Sequence, residues 1–71
     1  MSDSTASLNI RYEIRYRSLF DAGRALAFPC DAQGHVPLDE LSAAALANYL
    51  YARALVGLDY AAPVVLVSDL H

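Results

Sequence analysis

The feature that most constrains the fold is a strict alternation of apolar and polar side chains in the N-terminal part of the chain. From Leu8 to Arg17, apolar residues occupy every even position and polar residues every odd position. Because successive side chains of a β-strand point to opposite faces, this period of two predicts a strand with one buried face. The apolar set is Leu8, Ile10, Tyr12, Ile14 and Tyr16, and the polar set is Asn9, Arg11, Glu13, Arg15 and Arg17.

Two segments that end in glycine predict turns after this strand. They are Phe20–Gly23 and Asp31–Gly34, in which an Asp can bond the turn backbone and the Gly can adopt a positive φ. The segment between them, residues 24–30, predicts a second strand. Residues 35–38 predict a short third strand, which Pro37 makes irregular because it has no N–H. The inward side chains of the second strand are expected to be Leu26, Phe28 and Cys30.

A helix and a last strand complete the expected fold. Asp39 is a good N-cap, and no helix breaker occurs before Gly57, which predicts a helix of about 17 residues. The β-branched run at 64–67 is typical of a strand covered on both faces. We therefore predict an α+β fold, in which one long helix packs across a small, mainly antiparallel sheet in the order β-β-β-α-β. The sheet is a three-stranded meander plus a fourth strand, which runs parallel to the first and beside it, or pairs with a second copy of the chain.

The length and the cysteine content limit how such a fold is stabilised. The chain has 71 residues, enough for one domain, which we place at residues 8–71 after a disordered tail at 1–7. A single cysteine, Cys30, rules out an internal disulfide, and no Cys and His cluster offers a zinc site. We expect no cofactor, no secretory signal, no membrane span and a cytoplasmic location. Self-association is the usual remaining source of stability for so small a core.

The predicted helix is apolar on two sides. One side, suited to packing on the sheet, holds Leu41, Ala45, Tyr49, Ala52, Leu55 and Val56. The opposite side, called here the helix outer face, holds Ala43, Leu46, Ala47, Leu50 and Ala54. Alanine is a good helix former that a surface tolerates, but two leucines on the same side favour a contact. We therefore predict a homo-oligomer, in the simplest case a two-fold dimer, joined through the helix outer face.

Two groups of residues offer chemistry, and each also has a structural explanation. Cys30 and His35 flank the second turn and suit a thiolate nucleophile or two metal ligands, but two ligands are too few for zinc, and core packing is the favoured explanation of Cys30. Three arginines, called here the Arg face, alternate along the first strand and suit nucleic-acid binding by an open sheet. The net charge of -3 argues against that use and favours a solvated face. The members of the Arg face are Arg11, Arg15 and Arg17.

These observations favour a small non-enzymatic protein-interaction module, an adaptor or regulator that binds an unidentified protein partner. The alternative is a nucleic-acid-binding domain that uses the Arg face. A third hypothesis is a small enzyme or metal carrier built on Cys30 and His35. No phosphate-binding glycine loop and no paired carboxylates in an evident cleft support an enzyme.

Overall fold

The computed structural model describes residues 11–68, and in this range the chain order is β-β-α-β. The fold is α+β, with a three-stranded antiparallel sheet and one helix packed on it. The predicted tail at residues 1–7 and the first residues of the predicted first strand lie outside the described range. The elements are β1 (Tyr12–Arg17), β2 (Ala25–Cys30), a 3-10 turn (Leu38–Glu40), α1 (Ala43–Ala54) and β3 (Val64–Val67).

β1 is the central strand and shows the predicted alternation. The sheet order is β2-β1-β3, and Ile14 lies opposite Phe28 on one side and Val65 on the other. Ile14 and Tyr16 are buried under the helix side of the sheet, whereas Arg15 and Arg17 are exposed on the open side. The sheet with one covered face is therefore confirmed.

The third strand predicted at residues 35–38 is wrong. The segment forms a loop closed by Asp31, whose Oδ1 accepts the N–H of His35 at 2.8 Å, while the N–H of Asp31 donates to the carbonyl of His35 at 3.0 Å. Pro37 has no N–H for a ladder, and the 3-10 turn begins at the next residue. Within residues 11–68 the meander therefore stops at two strands.

The direction predicted for the last strand is also wrong. β3 lies beside β1, as expected, and pairs with it inside the chain, but the two strands are antiparallel. Without a third strand, the helix starts from the end of β2, so β3 runs parallel to β2 and on the opposite side of β1. The predicted double coverage fails because β3 is an edge strand, and all four of its residues are exposed.

The helix is shorter than predicted and begins at a different cap. Asp39 lies in the 3-10 turn, and Leu41 is extended at φ -85° and ψ 146°, so the backbone leaves the helical region before α1 starts. Ser42 is the N-cap, and its Oγ accepts the N–H of Ala45 at 3.1 Å. The helix has 12 residues and ends at Ala54, so a single helix from Asp39 to Val56 is wrong. Gly57 has the positive φ expected of a stop residue, at 88°.

The core lies between α1 and the strands β1 and β2, and aromatic rings form most of it. Its buried members are Ile14, Tyr16, Phe28, Tyr49 and Ala52. The Phe28 and Tyr49 rings meet edge to face with centroids 5.2 Å apart, a favoured aromatic geometry. Tyr49 and Ala52 belong to the side of the helix predicted to face the sheet, whereas Val56 of that side is 39% exposed.

Candidate interaction surfaces

The helix outer face is only partly exposed. Ala43, Ala47, Leu50 and Ala54 are exposed, whereas Leu46 is half-buried. Leu50 is therefore the large side chain that this face offers to a partner, with 48% of its surface accessible.

A more exposed apolar surface lies on the last strand. We call it the β3 edge, and its exposed fractions are 51% for Val64, 38% for Val65, 39% for Leu66 and 66% for Val67. The sequence predicts a strand here that is covered on both faces, whereas the structure shows a strand whose four residues are all exposed. β3 is an edge strand of the sheet, so it has a neighbouring strand on one side only.

Backbone hydrogen bonding along β1 determines which groups of β3 point outwards. Ser68 donates its N–H to the carbonyl of Arg11 at 2.7 Å, and residues of an antiparallel ladder alternate between bonded and non-bonded pairs. The register therefore makes Glu13–Leu66 and Arg15–Val64 bonded pairs. It follows that the N–H and C=O groups of Val65 and Val67 point away from β1.

A third apolar group gathers at the end of the molecule that holds the β1–β2 turn. We call it the hairpin-end cluster, and it combines turn residues with residues from the end of α1 and the loop after it. Leu19 donates its N–H to the carbonyl of Asp59 at 2.9 Å, which ties the two segments together. A cleft of about 420 Å³ opens beside Phe20, which is 79% exposed. The cluster comprises Leu19, Phe20, Tyr51, Leu58 and Tyr60.

The Arg face is exposed as predicted, but its positive charge is reduced by a neighbour. Glu13 lies among the three arginines, and its Oε2 accepts the Nε–H of Arg15 at 3.1 Å. The residues opposite Arg15 on the neighbouring strands are Ala27 and Val64, both uncharged. The open face of the sheet is therefore a mixed surface and not a continuous basic one.

Cys30 and His35 share a cleft, but His35 is engaged elsewhere. The cleft measures about 620 Å³ and is lined also by Tyr12 and Glu40. His35 Nδ1 lies 3.2 Å from Oδ2 of Asp31, whose Oδ1 accepts two backbone N–H groups. These hydrogen bonds, first that from the His35 backbone, lower the pKa of Asp31. The carboxylate thus organises the turn and orients the imidazole.

The electrostatic environment of Cys30 disfavours a thiolate. Burial of the side chain is the main cause that raises the pKa of Cys30, and the negative charges of Asp31 and Glu13 raise it further. A protonated thiol is a weak nucleophile and a poor metal ligand. In the part of the chain that the structure describes, no three His, Cys, Asp or Glu side chains form a group suited to a metal ion. The same part contains no helix long and apolar enough to cross a membrane.

Comparison with known proteins adds no relative to this description. No protein-family model, no curated protein and no solved structure matches the chain.

Proposed function

We propose that this chain is a non-enzymatic protein-interaction module, an adaptor or regulator that acts in a reducing cytoplasm by binding protein. The observation that carries this proposal is that more large apolar side chains are exposed than are buried in the core. Within residues 11–68, eleven large apolar side chains are at least 38% exposed, whereas the buried core contains five residues. An excess of this kind on a small domain marks surfaces that are covered by other proteins.

The grouping of these side chains supports the proposal further. Single exposed apolar residues are normal on any protein. Here nine of the eleven fall in three groups: four form the β3 edge, four belong to the hairpin-end cluster, and one is Leu50 of the helix outer face. Charged side chains border these groups: Glu13 and Arg15 lie opposite Leu66 and Val64, and Asp21 and Arg24 line the cleft beside the hairpin-end cluster. An apolar centre with a polar rim is the usual anatomy of a protein interface.

Self-association is the simplest form of this activity, and we propose a two-fold dimer through the helix outer face. Exposed alanines at positions 43, 47 and 54 permit close approach of a second helix, and Leu50 supplies the apolar anchor. A two-fold axis makes such a stripe complementary to itself.

Sedimentation across a dilution series tests this proposal. We expect the wild-type chain to sediment above its monomer mass of 7.7 kDa at high micromolar concentration. Leu50→Glu places two like charges at the seam and should weaken association through the helix outer face by at least tenfold. Asn48→Glu adds the same charge on an exposed position of α1 outside the outer face, and should leave the mass distribution unchanged. A wild-type chain that remains monomeric, or equal behaviour of the two variants, contradicts this dimer.

A further inference from the structure

The two edges of the sheet differ in how they are protected. On β2 the outward backbone positions are Ala25, Ala27 and Pro29, and the proline has no N–H to offer. On β3 the outward positions are Val65 and Val67, and both residues have a donor and an acceptor. Natural edge strands are usually protected by charged side chains, prolines or bulges. Val64–Val67 contains no charged residue and no proline.

The outward groups of β3 specify an extended strand as the occupant. An N–H and a C=O recur at every second residue, which is the spacing of a β ladder. A helix or a loop satisfies its own backbone groups or leaves them to water, and so does not match this row. Val65 and Val67 project to the helix side of the sheet, and Leu66 projects to the open side. An added strand has side chains on both faces, so it can cover all three.

We propose that the β3 edge pairs with the β3 edge of a second copy, antiparallel and about a two-fold axis at Leu66. In this register Val65 faces the partner's Val67, and Val67 faces the partner's Val65. All four residues have outward backbone groups, so the two pairs form four hydrogen bonds. The side chain of Leu66 meets the partner's Leu66 on the open face, and the sheet grows from three strands to six.

A second copy fits this edge because the chain itself contains the required segment. The strand must be extended, uncharged and rich in β-branched residues, and β3 has all three properties. β1 has charged residues, and β2 contains Pro29, so neither matches the edge as well. A four-residue strand is about 13 Å long, which makes the contact small. Small interfaces are typical of weak association, so we expect a dimer at high micromolar concentration.

Amide hydrogen exchange, followed by NMR at 20 µM and 1 mM, tests the register directly. The N–H groups of Val64 and Leu66 bond β1 and should be protected at both concentrations. The N–H groups of Val65 and Val67 should become at least fivefold more protected at the higher concentration. Unchanged exchange at both valines overturns the proposal, including when the chain associates through another surface.

A pair of charge variants provides the second test. Val67→Glu places a charge against the partner's Val65, and should abolish the concentration-dependent protection at residue 65. Phe20→Glu adds the same charge at an exposed apolar side chain of the hairpin-end cluster, and should preserve that protection. Leu50→Glu should also preserve it, so failure of the helix contact and failure of the β3 contact are distinguishable. Protection that persists in Val67→Glu overturns the proposal.

Discussion

Two residues shape the loop that follows β2: Asp31 accepts backbone hydrogen bonds, and Gly34 adopts a positive φ. Asp31 accepts backbone N–H groups from Gln33 and His35, so its carboxylate replaces the ladder bonds of the predicted third strand. Gly34 adopts φ +89°, and a Cβ at this position would lie 3.2 Å from Cγ2 of Val65. The loop therefore crosses the helix side of the sheet closely enough to touch β3, and the positive φ together with this close contact favours glycine at position 34.

The reactivity of Cys30 towards iodoacetamide should report its environment. Because the pKa of the folded thiol is raised, the thiolate fraction at any pH below that pKa is smaller than in the unfolded chain. We expect the native protein to be alkylated more slowly than the unfolded chain at every pH below the raised pKa, and its rate to level off at a higher pH. The same protein in concentrated urea provides the control. A native rate at pH 7 equal to or above the urea rate would contradict this account.

The start of α1 shows how an element boundary depends on its neighbours. Both Asp39 and Ser42 have side chains that cap helices well. The cap is Ser42, because the 3-10 turn and the extended Leu41 separate Asp39 from the helix. Within α1, Tyr49 and Ala52 are buried against the sheet and fix the position of the helix.

Replacement of the two capping candidates distinguishes them. Ser42→Ala removes the acceptor for the Ala45 N–H and should lower the free energy of unfolding by about 1 kcal/mol. For a domain of this size, this corresponds to a decrease in Tm of roughly 4–8 °C. Asp39→Ala should change Tm by much less, since the 3-10 turn has no side-chain cap. Thermal unfolding followed by circular dichroism measures both, and an equal loss in the two variants would restore Asp39 as the cap.

At the scale of the whole molecule, the negative net charge argues against the alternative function, nucleic-acid binding. The chain has five arginines and eight acidic residues, and Glu13 pairs with Arg15 within the Arg face. Nucleic-acid affinity depends mainly on neutralised phosphates and decreases steeply with salt. A face with mixed charge on an acidic chain offers little of that energy.

Binding to a fluorescent DNA duplex and to single-stranded RNA therefore provides a whole-molecule prediction. We expect a Kd weaker than about 10⁻⁴ M at 150 mM salt, which is weaker than the typical non-specific contacts of nucleic-acid-binding proteins. Glu13→Gln removes the acid among the arginines, and should increase binding at 20 mM salt only slightly. Micromolar binding by the wild-type chain at 150 mM salt, lost in Arg15→Gln, would contradict this prediction and show that the Arg face binds nucleic acid.

The local sequence pattern was sufficient to predict the α+β class, the faces of β1 and the turns with their glycines. Periodicity and turn chemistry act over a few residues, so Ile14, Tyr16 and Gly23 could be assigned without knowledge of the rest of the chain. The candidate surfaces were predicted less well. Exposure of Arg15 followed from its parity in the strand, whereas the half-burial of Leu46 did not follow from its position on the helix.

Only the tertiary structure decided the number of strands, the direction of β3 and its exposure. An apolar run such as 64–67 has the same pattern whether neighbours cover it or not, because periodicity reports which faces a segment has and not what lies on them. Coverage depends on where α1 lies, and it packs on the side of β2. The hydrogen bonds of Asp31 close a loop where a third strand was predicted. Without that strand, β3 runs antiparallel to β1 and not parallel to it. The β3 edge thus became a surface that strand pairing with a second copy can complete.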